Sequence, residues 1–184
     1  MTTQLHKPKT YTVEEFMNLP DDGKRYELIE GELIEMPGSN LNHGIITSRL
    51  IRALGNFLES QNQSPDLALT NMAFVLAPKT APVPDAAFVT AERMVGIDRS
   101  KPFNGPPDLA IEIMSPTDKW SEVIKKVRLY QRYQVTLIWV VDPFDMTVFV
   151  YRLNPPLRSL LADEELSGED VLPGFTLPVQ ALFE

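Results

Sequence analysis

The stretch Asp108-Leu109-Ala110-Ile111-Glu112-Ile113-Met114-Ser115-Pro116 is an apolar strand with one carboxylate inside it. Strands that read as continuous apolar runs are usually covered on both faces. An ionised carboxylate in such a place costs on the order of several kcal/mol of desolvation unless something cationic meets it. Glu112 therefore needs a Lys or Arg, a bound proton, or a metal. Which of the three it has bears directly on what the protein does.

Outward from this strand the chain alternates between two periodicities. After Ser115-Pro116-Thr117-Asp118, the residues Trp120, Val123, Ile124, Val127 and Tyr130 recur at helical spacing and predict a helix with one apolar stripe. Leu137-Ile138-Trp139-Val140-Val141 is a second buried strand, ending at Asp142-Pro143, and Met146 to Leu153 alternate as a strand hairpinned to it. On the other side, Asp85 to Val89 is a short strand after the Pro-punctuated loop of residues 78–84. Leu67 to Leu76 read as a further strand, and residues 93–107 as irregular.

Nearer the N-terminus, Leu41, Ile45, Ile46, Leu50, Leu54, Phe57 and Leu58 predict the clearest helix of the chain, capped by Asn40 and running to Glu59. Before it, Tyr26-Glu27-Leu28-Ile29-Glu30, Gly31 and Glu32-Leu33-Ile34-Glu35-Met36 read as a tight β-hairpin that ends at Pro37 to Asn40. Thr12 and Glu15 have capping-box spacing for a short helix through Phe16 to Leu19. The segment Leu172 to Pro178 is expected to cross the surface. Strands interleaved with two long helices point to an α/β fold, a mixed sheet flanked by helices, with an N-terminal hairpin.

With 184 residues and no dividing linker, the chain is expected to form one domain, residues 1–184. It has no cysteine, which excludes disulfides and thiolate metal sites and fits a reducing compartment. The first nine residues lack the apolar core of a signal peptide, and the apolar runs are too short for a membrane helix. A soluble, cytoplasmic protein is the expectation. A formal net charge of −8 argues against a protein that coats itself with nucleic acid. Yet Lys119, Lys125, Lys126, Arg128 and Arg132 stand against the single acid Glu122. They form either a local basic face or an ordinary solvated helix face.

Asp85, Glu112 and Lys126 belong together chemically. Two carboxylates at adjacent strand ends make a hard-oxygen site suited to hydrated Mg²⁺ or Mn²⁺. Alone, Asp85 reads as a strand-start residue and Glu112 as one half of a core salt bridge. At about 100° per residue, Lys126 falls on the edge of the helix stripe beside Tyr130, whereas Lys125 points nearly opposite, to solvent. A lysine on such an edge can lay its stem on apolar surface and bring its ammonium to Glu112. Glu122, one turn earlier, is a second candidate to hold that ammonium. Two carboxylates and a lysine suit metal-assisted phosphodiester hydrolysis.

The order of the hairpin Tyr26 to Leu33, Asn42-His43 with Ile45, Pro84-Asp85, the Asp108 to Pro116 strand, Lys126 to Tyr130 and Trp139 to Pro143 resembles the Uma2 family of restriction-endonuclease-like proteins, within the PD-(D/E)XK nuclease superfamily. The likeness runs from about Tyr11 to Phe183. It implies a restriction-endonuclease-like core and DNA as substrate, with Mg²⁺ or Mn²⁺ held by Asp85, Glu112 and the backbone carbonyl of Ile113. The superfamily's usual lysine, two residues after the acid, is Met114 here, and Lys126 stands where the family takes its lysine from the following helix. Glu32 and His43 fall where relatives carry polar residues near the pocket, although His43 also reads as a helix-start or surface histidine. A homodimer is expected of an enzyme that makes paired cuts. The alternative is an inactive nucleic-acid- or protein-binding domain that retains the nuclease fold. One departure is Gln134, where relatives carry a Gly as helix C-cap.

Overall fold

The computed structural model describes residues 9–36, 38, 40–153 and 157–184. Residues 1–8, with most of the stretch weighed as a signal peptide, and Pro37 and Ser39 of the hairpin exit lie outside them. The elements are α1 (Val13–Met17), β1 (Arg25–Ile29), β2 (Glu32–Met36), α2 (Leu41–Ser60), β3 (Ala68–Thr70), β4 (Phe74–Val75), β5 (Ala86–Phe88), α3 (Ala91–Met94), β6 (Phe103–Asn104), β7 (Leu109–Ile113), α4 (Trp120–Arg132), β8 (Leu137–Asp142), β9 (Thr147–Arg152), β10 (Arg158–Leu160), β11 (Glu165–Ser167) and β12 (Thr176–Pro178).

Six strands form the central sheet in the order β10-β9-β8-β7-β5-β3. Only β7 and β8 run parallel within it, because α4 carries the chain from one to the other, whereas the remaining neighbours are antiparallel. The strand period of two sends alternate residues to opposite faces. Leu109, Ile111, Ile113, Leu137, Trp139 and Val141 pack with Ile46, Leu50, Leu54 and Leu58 of α2. Ala110, Ile138 and Val140 pack with Val123, Val127 and Tyr130 of α4. The β1–β2 hairpin is a separate two-stranded ribbon, fastened by the Leu28–Ala81 bridge and by the Gly31 amide on the Lys79 carbonyl. Glu30 and Gly31 at its tip both have positive φ, the mark of a two-residue primed turn.

Four expectations change. The run from Leu67 to Leu76 is broken into a 3₁₀ turn, β3 and β4, with Asn71 in the left-handed region at the break. β3 pairs with β5 and β4 with β6. The segment of residues 93–107, expected to be irregular, contributes β6, and Ala91–Met94 is a short helix. Trp120 opens α4 but stays 39% exposed, resting on Phe149 with ring centroids 4.8 Å apart. The C-terminal segment does not cross the surface. Leu172, Phe175, Val179 and Leu182 are buried against the α2 face, and the Phe175 ring stacks on Trp139 at 5.9 Å. Its apolar residues follow neither a helix nor a strand period, so a pattern argument cannot register them.

Gln134 keeps the C-cap turn that its side chain disfavours. It sits at φ +64°, and the Gln134 and Val135 amides donate to the Gln131 and Tyr130 carbonyls. That is the Schellman arrangement with a glutamine in the left-handed position.

Candidate active site

The side chains of the site are delivered by several elements. β7 turns Glu112 toward α4, where it is 8% exposed. On α4, Lys126 and Tyr130 lie one turn apart on the same edge. The Lys126 ammonium is 2.9 Å from Glu112 Oε2, and the Tyr130 hydroxyl donates to Glu112 Oε1 at 2.6 Å. Asp85 is the residue just before β5, next to the end of β7 in the sheet. Its Oδ2 accepts the Ile113 amide at 2.7 Å and its Oδ1 lies 3.0 Å from His43 Nε2. His43 is placed by the N-cap of α2, with its amide on Asn40 Oδ1 at 2.9 Å.

The structure therefore brings Asp85, Glu112, Lys126, His43 and Ile113 to one place. Glu32 lines the same cleft from β2 but is exposed, and among the described residues it makes no hydrogen bond or ion pair to the cluster. Lys125 is exposed, as its helix angle requires. Glu122 does not hold the lysine: it is exposed on α4, and the second carboxylate on Lys126 is Glu27, at 3.1 Å.

Glu27 and Tyr130 are the members that sequence reasoning missed. Glu27 comes from β1, is buried, and also accepts the Val83 amide at 3.3 Å, two residues before Asp85. No local pattern connects residues about a hundred positions apart, so only the fold reveals the Glu27–Lys126 pair. Tyr130 left a weaker trace: a tyrosine within a buried stripe needs an acceptor for its hydroxyl, and Glu112 was the nearest candidate.

Burial raises the Glu112 pKa to about 7. Lys126 and Tyr130 pull it down, and Asp85 and Glu27 push it up. Burial works against the Lys126 charge, but Glu112, Glu27 and Asp85 outweigh it and the ammonium is held firmly protonated. The hydrogen bond to Asp85 raises His43 above its ordinary value, against the opposing effect of burial. Three carboxyl groups thus face one ammonium and one imidazole, and the cluster carries spare negative charge once Glu112 is ionised.

The donor chemistry fits a hard divalent cation. Among the described residues no group of three or more His, Cys, Asp and Glu side chains is arranged to hold a metal. A site here would rest on two carboxylates and a backbone carbonyl. The sheet supplies a reason for the carbonyl. The register Ala86↔Ile111 places Pro84 opposite Ile113, and proline has no N–H to donate. The Ile113 amide turns to the Asp85 carboxylate instead, and the Ile113 carbonyl is left without that ladder donor.

A mixed sheet between two helices, with paired carboxylates at the end of two adjacent strands, defines the class of the molecule: a nuclease-like α/β fold. The chain belongs to the Uma2 family, whose description is putative restriction endonuclease; the family model matches residues 13–180. Among solved structures it is similar to a putative nuclease belonging to DUF820 from Anabaena variabilis ATCC 29413. The two are 24% identical, with a TM-score of 0.80 over 94% of this chain and 97% of that one. No curated protein matches. No helix among the described residues is long and apolar enough to cross a membrane.

Proposed function

We propose that this protein is a metal-dependent DNA endonuclease that hydrolyses phosphodiester bonds, with Mg²⁺ or Mn²⁺ held by Asp85, Glu112 and the Ile113 carbonyl. The observation that carries the reading is the sheltered cluster of Asp85, Glu112 and Lys126 at one end of the sheet, where the carboxyl groups of Asp85, Glu112 and Glu27 gather around one ammonium and one imidazole. A bound divalent ion would supply charge to the scissile phosphate and lower the pKa of a water. The chain's own residues do the rest. The Ile113 amide and His43 fix both oxygens of Asp85, so its orientation is set in advance. Tyr130 fixes Glu112 from the side away from Lys126. The Lys126 ammonium, held between Glu112 and Glu27, meets the negative charge that builds on the phosphoryl oxygens as a water, giving up a proton, adds to phosphorus and the sugar oxygen leaves.

A second reading has its own observation. Every oxygen of Asp85 and Glu112 already has a hydrogen-bonding partner in the protein. Such a closed network suits a nucleic-acid- or protein-binding domain that keeps the fold without cutting. A Mn²⁺-supported assay on supercoiled plasmid and on circular single-stranded DNA separates the two. Cleavage is expected from the wild type and loss of it from Asp85→Ala and Lys126→Ala. Activity that survives both substitutions contradicts the assignment.

A further inference from the structure

The cleft over the cluster encloses about 840 Å³, a volume within the range of small-ligand pockets. Its two long walls have opposite charge. By net charge, the α4 wall carries Lys125, Arg128 and Arg132 against Glu122, and the hairpin wall carries Glu30, Glu32 and Glu35 against Arg25, with Glu35 also paired to Lys24. Lys125, Arg128 and Arg132 follow i, i+3, i+7 spacing, so they share one helix face and span about 10 Å along its axis. Lys125 and Arg128 are exposed and have no ion-pair partner among the described residues. Arg132 is paired across the cleft with Glu30. Glu30 occupies the hairpin tip at φ +50°, a conformation that side chains other than Gly, Asn and Asp rarely take. A disfavoured residue at the tip thus supplies the carboxylate that meets Arg132.

We infer that the α4 stripe is a phosphate track for one strand of nucleic acid, and that the protein acts on single-stranded DNA in preference to duplex. This rests on the nuclease reading and names the substrate form that the same site accepts. Duplex DNA presents two phosphate backbones, one charge per about 1.7 Å of axis. A cleft with cations on one wall and carboxylates on the other neutralises one backbone and repels the second. Three cations over about 10 Å can neutralise a short run of successive phosphates of one strand. The track lies on the solvent-side face of α4, about 100° or more around the helix from Lys126. It lines the same cleft, so a strand that crosses the cleft from it reaches the Asp85–Glu112 end of β7. When the strand enters, its phosphate competes with Glu30 for Arg132.

The test measures binding of a short labelled DNA strand and of its blunt duplex, across a potassium series, with Ca²⁺ as the divalent ion. The strand is expected to bind tighter than the duplex. The double variant Lys125→Ala/Arg128→Ala is expected to weaken strand binding at least about tenfold and to flatten its salt slope by about 1.4. Glu30→Gln, which frees Arg132, is expected to tighten strand binding. Duplex binding as tight as that of the strand overturns the inference, and so does a double variant with unchanged affinity and slope. The outcome is separable from cleavage. A protein that cuts DNA in Mn²⁺ while the double variant binds as before keeps the nuclease reading and loses the track. A protein that binds the strand with the expected slope but never cuts keeps the track and loses the nuclease reading.

Discussion

The two faces of the central sheet are built from the same strands and do different work. The face under α2 and the C-terminal segment is apolar throughout, from Ile46 and Leu54 through Trp139 to Phe175 and Leu182. The face under α4 is apolar only as far as Ala110, Ile138 and Val140, and beyond them come Glu112, Lys126, Tyr130 and Glu27. The first face stabilises by excluding water. The second gives up part of that stabilisation to hold charges in a dry place, where their fields are strong. The molecule puts its apolar core on one side of the sheet and its charged cluster on the other.

Substitutions that separate the faces give the largest effects. On the α2 face, Trp139→Ala should lower unfolding stability by about 3–5 kcal/mol, measured by denaturant titration, through the cavity it leaves. On the α4 face, Lys126→Met should cost roughly as much for another reason, because it strands two buried carboxylates without a cation. The added change Glu112→Gln should then recover part of the loss. A double variant on the α2 face has no such rescue. If Lys126→Met and Glu112→Gln are simply additive, the charged cluster is not a coupled unit.

pH sharpens the contrast next. The folded-state pKa of Glu112 lies above its ordinary 4.5, at about 7, so the folded state holds its proton more tightly than the unfolded chain does. Stability should therefore fall as pH rises from about 4.5 through about 7, and level off above. His43 adds in the same direction. Its pKa is also raised, so its contribution is fully present below 6.5 and is lost as pH rises through the folded value. Thermal midpoints collected in EDTA should show a downward slope that Glu112→Gln largely flattens. A wild-type profile that rises over this window would mean that the cluster is tuned the other way.

The smallest effect concerns the turn that leads from α4 into β8. Gln134→Gly should raise stability by about 1 kcal/mol, since it relieves a left-handed side chain at an intact Schellman cap. Mn²⁺-supported cleavage should not change. An unchanged midpoint would mean that Gln134 makes compensating contacts.

The sequence made the periodic parts legible. α2 and α4 appear as helices on their apolar stripes, β7 and β8 as buried strands, and the hairpin from its Glu-Gly turn. The contact of Lys126 with Glu112 was legible too, because the helix angle leaves a single lysine on the edge of the stripe. What stayed hidden depends on distance along the chain. Glu27 meets Lys126 from a ribbon that is held to the Lys79–Ala81 segment. The aperiodic Leu172 to Leu182 segment enters the core by filling space beside Trp139. The opposition of Pro84 to the Ile113 carbonyl is a matter of register between strands, which composition cannot reveal.

Whether the end of β7 holds a divalent ion decides between a metal site and a salt bridge. A crystal grown in Mn²⁺ and measured for anomalous scattering tests this most directly. The expected result is a peak bound by Asp85, Glu112 and the Ile113 carbonyl, with Lys126 still against Glu27. No peak at saturating Mn²⁺, with Glu112 still closed on Lys126 and Tyr130, would contradict it and leave a buried salt bridge in its place.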